Sequence, residues 1–129
     1  MPSTHTSIHI HIVFSTKNRE PLITDDFRED LYGYLGGIVK NQRAVCLAVG
    51  GTEDHVHLLV GLKASHRLDY FMRELKASSS GWIRRNRDSR FAWQTGYGAF
   101  AVSATNLKKV EYYIQNQKRH HEEQGFQQE

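Results

Sequence analysis

From Ser7 to Ser15 the chain reads S-I-H-I-H-I-V-F-S, an alternation that constrains the fold more than any other stretch. Ile8, Ile10, Ile12 and Phe14 fall on one side; His9, His11 and Val13 fall on the other. Period-two alternation of β-branched residues specifies a half-buried strand. One face of that strand is apolar and must be covered. The other presents imidazoles, which an apolar core does not accept readily.

The remaining pattern supplies the cover. Lys17 to Pro21 is a polar connector. Thr24 can cap a helix whose first residues, Asp25 and Asp26, suit the positive end of its dipole. Phe27, Leu31, Leu35, Ile38 and Val39 then recur at helical spacing. Gly33, Gly36 and Gly37 each weaken that helix by about 1 kcal/mol relative to Ala. Ala44 to Val49 predicts a short strand, Gly50-Gly51-Thr52 a tight turn, and His55 to Leu62 a third strand antiparallel to the second. A second helix follows, with Leu68, Phe71, Met72, Leu75, Ser79, Trp82 and Ile83 on one face. Asp88 to Gly98 reads as an irregular loop and Ala99 to Ser103 as a fourth strand. Thr105 or Asn106 caps a last helix running to about Glu123, before a loose tail.

The order β-α-β-β-α-β-α predicts an α+β chain with a ferredoxin-like, RRM-like core. Its first and third strands should be antiparallel neighbours at the centre, with two helices on one sheet face. The core spans about residues 5–104 and the added helix about 105–123, within one domain of 129 residues.

Composition limits what such a domain can do. No apolar run reaches the roughly 20 residues of a membrane span, and the N-terminus lacks a signal-peptide pattern. A single cysteine, Cys46, excludes an internal disulfide and a thiolate zinc finger. A soluble cytoplasmic protein is the expectation. Residues 63–90 carry eight basic and three acidic side chains, whereas residues 1–62 carry five basic and seven acidic ones. A local basic block in a chain of pI about 9.1 points to a polyanion, or simply to a solvated helix face.

Two constellations could carry chemistry. His55-Val56-His57 places two imidazoles on one strand face about 6.5–7 Å apart along the chain. Such a pair can tilt onto one cation at about 2.0–2.2 Å, although two structural histidines would look the same. The parity argument strengthens the cation reading. If the first and third strands are neighbours, at least three of His9, His11, His55 and His57 crowd one face. In the last helix Tyr113 and Gln117 stand at i and i+4, on one side. Gln117 offers a carbonyl oxygen to a hard cation. A tyrosine phenol, with pKa about 10, becomes a nucleophile only with help from a cation, a base or a polarised electrophile.

Taken together, these stretches resemble the small HUH-motif, single-tyrosine transposases of bacterial and archaeal insertion sequences, of the IS200 type. The likeness also rests on His11-Ile-Val-Phe-Ser-Thr-Lys-Asn-Arg19, Asp54-His-Val-His-Leu-Leu-Val60, Lys76-Ala-Ser-Ser with Trp82-Ile83, Trp93-Gln-Thr-Gly-Tyr97 and Tyr113-Ile-Gln-Asn-Gln117. It covers essentially the whole chain, in order.

The resemblance implies cleavage and rejoining of single-stranded DNA through a 5′-phosphotyrosine on Tyr113. It implies a divalent Mg²⁺ or Mn²⁺ held by His55, His57 and Gln117; shared strand parity puts His9 or His11 nearby as an outer-shell group. It further implies hairpin DNA ends as ligands and a homodimer whose sites are completed in trans by the tyrosine helix. Lys17, Arg19, Arg84, Arg85 and Arg87 are candidate phosphate contacts. Other readings stay open: a non-catalytic ferredoxin-like nucleic-acid-binding module, a domesticated relative acting on repeat hairpins, or a metal-dependent hydrolase that uses water. The binding module would expect aromatic residues where the first and third strands carry histidines.

Overall fold

The computed structural model describes residues 8–116. Four strands form one sheet: β1 (Ile8–Ser15), β2 (Val45–Gly51), β3 (His55–Leu62) and β4 (Gly98–Ala101). Three helices accompany them: α1 (Asp25–Asn41), α2 (Leu68–Asn86) and α3 (Leu107–Gln115). The strand order is β2-β3-β1-β4, with every pairing antiparallel. This is the predicted ferredoxin-like arrangement, with β1 and β3 at the centre.

Alternation decides which side of the sheet is core. Ile12 and Phe14 of β1 and Val56, Leu58 and Val60 of β3 point toward α1 and α2. There they meet Phe27, Leu31, Leu35 and Val39 from α1 and Phe71, Met72, Leu75 and Ile83 from α2. Burying a side chain of this size contributes about 1.5–3 kcal/mol, so this layer dominates stability. Tyr34 and Trp82 stack across the two helices, ring centroids 4.8 Å apart.

The stretch after α2 is irregular but anchored. Phe91 and Trp93 are buried, Trp93 packing edge-on to Phe14 at 4.6 Å. The Trp93 indole N–H donates to Ser79 Oγ at 2.9 Å. Lys76 Nζ donates to the carbonyls of Gln94 (2.6 Å) and Gly96 (2.8 Å), pinning the loop to α2. Partial burial lowers the Lys76 pKa, and those two carbonyls supply the hydrogen bonds that water would otherwise provide.

Three expectations need correction. Gly50 and Gly51 do not form the turn: they continue β2, opposite His57 and Val56, and the reversal falls at Thr52–Asp54. The fourth strand is Gly98–Ala101 rather than Ala99–Ser103. The last helix is not merely appended. Ile114 packs on Ala48 and Leu59, with Leu107 and Val110 beside it, so α3 covers part of the second sheet face. Its predicted continuation to Glu123 lies outside the described residues, as does Gln117. No helix among the described residues is long and apolar enough to cross a membrane.

The glycines of α1 have no packing role: a Cβ at Gly33, Gly36 or Gly37 would meet nothing within 4 Å. Gly37→Ala should therefore stabilise the protein by about 0.5–1 kcal/mol through helix propensity alone. Urea denaturation would show this as a raised midpoint with an unchanged slope.

Candidate active site

The β1–β3 register builds a histidine face. Val13 lies opposite His57, Ser15 opposite His55 and His11 opposite Leu59. His11 is thus diagonal to His57, and their rings stack with centroids 5.0 Å apart. His11 Nε2 is 2.8 Å from His57 Nδ1. His55 and His57 are each only 7% exposed, with ring centroids 5.0 Å apart. Burial lowers the His11 pKa and so favours its neutral form.

The reversal before β3 orients His55. Its Nδ1 lies 2.7 Å from Asp54 Oδ1 and 2.9 Å from Thr52 Oγ1. The Thr52 hydroxyl in turn donates to Asp54 Oδ1 at 3.2 Å. Arg19 Nη2 donates to the same carboxylate oxygen at 3.3 Å. Partial burial alone would raise the Asp54 pKa, but the hydrogen bonds from His55 and Arg19, with the Arg19 charge, hold it below the usual value. Arg19 reaches this position from a left-handed backbone, φ 56°, directly after Asn18 at φ 59°. Asparagine tolerates that region; for arginine it costs about 1–2 kcal/mol. Asp54 and Thr52 carry no strand-parity signal, and sequence reasoning gave them no role.

α3 brings the tyrosine to this face. The stripe Leu107, Val110, Ile114 seats the helix on β2 and β3. Tyr113 then stands edge-on to His57 at 5.9 Å and to His11 at 6.4 Å between centroids. Tyr112 is 66% exposed, against 37% for Tyr113. A cleft of about 520 Å³ opens beside the group, and His55, His57, Tyr113, Arg19, Tyr97 and Phe100 are among its lining residues.

The other sequence candidates scatter. His9 lies over Gly61, where a Cβ would come within 3.6 Å of its ring, and it lines a separate groove with Arg43 and Leu47. Lys17 is exposed on the connector that carries Arg19. Arg84, Arg85 and Arg87 ride the end of α2 and its C-cap, behind the sheet rather than on the histidine face. Arg84 Nε donates to the Phe91 carbonyl at 2.8 Å, and Arg87 pairs with Asp26 over the Phe27 ring.

The donor set fits a cation. Each of His55 and His57 has Nδ1 engaged by an outer partner, so Nε2 is the ring nitrogen that would turn to a cation. With metal–nitrogen distances of about 2.0–2.1 Å, rings at this separation can share one ion. Among the described residues no group of three or more His, Cys, Asp or Glu forms a metal-sized cluster, so the described donors of these types are the two imidazoles.

Comparison with known proteins shows the fold and the family. No curated protein matches the sequence. Among solved structures, a chain from Deinococcus radiodurans R1 described as a candidate transposase superposes with TM-score 0.75 at 22% identity, over 91% of this chain and 95% of that one. A REP-associated tyrosine transposase bound to a REP hairpin superposes with TM-score 0.68 at 13% identity, over 94% of this chain and 74% of that one. At such identities the likeness establishes the fold. The sequence profile described as "Transposase IS200 like" goes further, because it matches residues 4–117, from the histidine strand through the tyrosine helix. On that match the chain belongs to the family of IS200-like transposases.

Proposed function

We propose that this transposase cleaves and rejoins single-stranded DNA with Tyr113 as nucleophile and His55, His57 and Gln117 as ligands of a divalent cation. The observation that carries the reading is Tyr113 standing 5.9 Å from His57 between ring centroids, in a cleft that both line. A bound Mg²⁺ or Mn²⁺ would polarise a non-bridging phosphate oxygen and favour attack at phosphorus. The chain's own residues do the rest. Tyr113 Oη bonds to the scissile phosphorus as the bond to the 3′-oxygen breaks. The tyrosine proton is released and the 3′-oxygen leaves as a hydroxyl. The DNA 5′ end remains on the tyrosine until another 3′-hydroxyl attacks and regenerates the phenol. Bond energy is conserved through both steps, so no nucleotide cofactor enters.

The outer contacts set tautomers. Ionised Asp54 accepts from the Nδ1–H of His55, and neutral His11 can accept on Nε2 from the Nδ1–H of His57. With Nδ1 protonated, Nε2 is the ring nitrogen that carries the lone pair a cation would take. The water-using hydrolase would need no tyrosine at this place.

Hairpin DNA is the proposed ligand, a reading supported by the REP hairpin on the structural neighbour. The test is to trap a covalent adduct with single-stranded DNA carrying hairpins. An adduct is expected with Mg²⁺ or Mn²⁺, and it should disappear with chelator and with His57→Ala. Strand cleavage with no adduct would instead favour the hydrolase.

A homodimer completed in trans is the second part of the proposal, carried by family resemblance. In one chain Tyr113 already stands beside its own His57, and an exchanged α3 would reuse the same contacts. Mixing Tyr113→Phe with His57→Ala subunits should restore the adduct if helices are exchanged. A dimer whose mixtures stay inactive would mean that each chain uses its own tyrosine.

A further inference from the structure

β4 adds an aromatic ring to the histidine face that neither the core nor the proposed cleavage chemistry uses. Phe100 pairs with His11 across β1 and β4, and its ring centroid is 6.2 Å from that of His11. The residue is 59% exposed. α3 is seated on β2 and β3, toward the opposite edge of the same face. An exposed phenyl ring gains little from folding and stays available to a ligand.

The ring is held in a definite posture. It folds back along its own strand over Gly98, where a Cβ would come within 3.0 Å of Phe100 Cε2 and 3.4 Å of Cζ. Gly98 lies opposite Val13, so the phenyl lies along the sheet beside the cleft. Tyr97, 40% exposed, lines the same cleft. The backbone between them and the core is fixed: Lys76 holds the Gln94 and Gly96 carbonyls, Gln94 N–H donates to Ser15 at 2.8 Å, and the Gln94 side chain accepts from Asn18 N–H at 3.1 Å. Arg19, with 63% of its side chain exposed, supplies a cation at the rim.

We infer that Phe100 and Tyr97 form a stacking subsite for an unpaired nucleobase next to the scissile phosphate. The inference rests on the reading of this cleft as a single-stranded DNA site. A flat apolar ring, the neighbouring Arg19, which Asp54 holds, and continuity with the Tyr113–His57 group match a nucleotide: base on the ring, backbone toward Arg19. Stacking of this kind tolerates any base, because each has a π face.

The test separates bases from phosphates. Binding of an oligodeoxyadenylate is compared with that of an equally long abasic strand, both fluorescently labelled. Tyr113→Phe is the background, so that cleavage plays no part. Phe100→Ala should weaken oligodeoxyadenylate binding by about 5- to 100-fold and leave abasic-strand binding unchanged. Phe100→Trp should keep most of the preference for bases. Photocrosslinking of a strand containing 5-iododeoxyuridine should map to the peptide holding Tyr97 and Phe100. Equal weakening of both strands by Phe100→Ala, no weakening of either, or a crosslink elsewhere would overturn the subsite. Base-dependent binding that passes these tests while wild type forms no adduct would uphold the subsite and refute the nucleophile. A wild type that binds neither strand would overturn both.

Discussion

Tyr113→Phe should abolish the covalent protein–DNA adduct while leaving the fold and DNA affinity intact. The substitution removes one oxygen, and a phenyl ring has no nucleophile. The fold is insulated because α3 is held by its other side, where Ile114 is fully buried against Ala48 and Leu59. Tyr112→Phe should retain the adduct. Adjacent helical residues point about 100° apart, so the two rings cannot both face the histidines. Tyr112 is the more exposed, whereas Tyr113 stands edge-on to His57 and His11. Denaturing gels with a labelled strand would read the adduct, and mass spectrometry of the modified peptide would place it. An undiminished adduct in Tyr113→Phe would sink the assignment. The reverse pattern between the two mutants would move it by one residue.

Much of this site was legible because strand parity is a rigid rule. The alternation in Ile8–Ser15 and in His55–Leu62 put the histidines on one side and the core on the other, and the structure keeps that division. What parity cannot give is register. That His11 meets His57 diagonally follows from Val13 pairing with His57, a long-range fact set by packing. Asp54, quoted only within a motif, and Thr52 were given no role because they act from the reversal, where side-chain direction has no period. Phe100 escaped because a four-residue edge strand of small apolar residues can be read with either face inward. Gln117 supplied half of the tyrosine-helix signal and lies outside the described residues.

The misread glycines lead to the other large effect. Gly50-Gly51 looked like a turn, since glycine is common there. In the structure Gly50 sits in β2, where the backbone of α3 passes directly over it. A Cβ at Gly50 would lie 1.9 Å from the Ile114 carbonyl oxygen and 2.8 Å from its carbon. Both are main-chain atoms, so no side-chain rotation relieves the clash. Restoring ordinary contact, at least 3.4 Å, requires α3 to move by roughly 1.5 Å. Tyr113 precedes Ile114 and must move with it. A displacement of about 1 Å in a reacting group can cost 100-fold in rate, so Gly50→Ala should slow adduct formation by about that factor or more. The main core should survive, because its residues lie on the opposite sheet face, under α1 and α2. Circular dichroism should therefore change little, while limited proteolysis should cut faster within α3. Gly37→Ala, which adds the same methyl in open space, should leave the adduct rate unchanged. A Gly50→Ala protein that forms adduct at the wild-type rate would show that the close seat of α3 on β2 does not position the nucleophile.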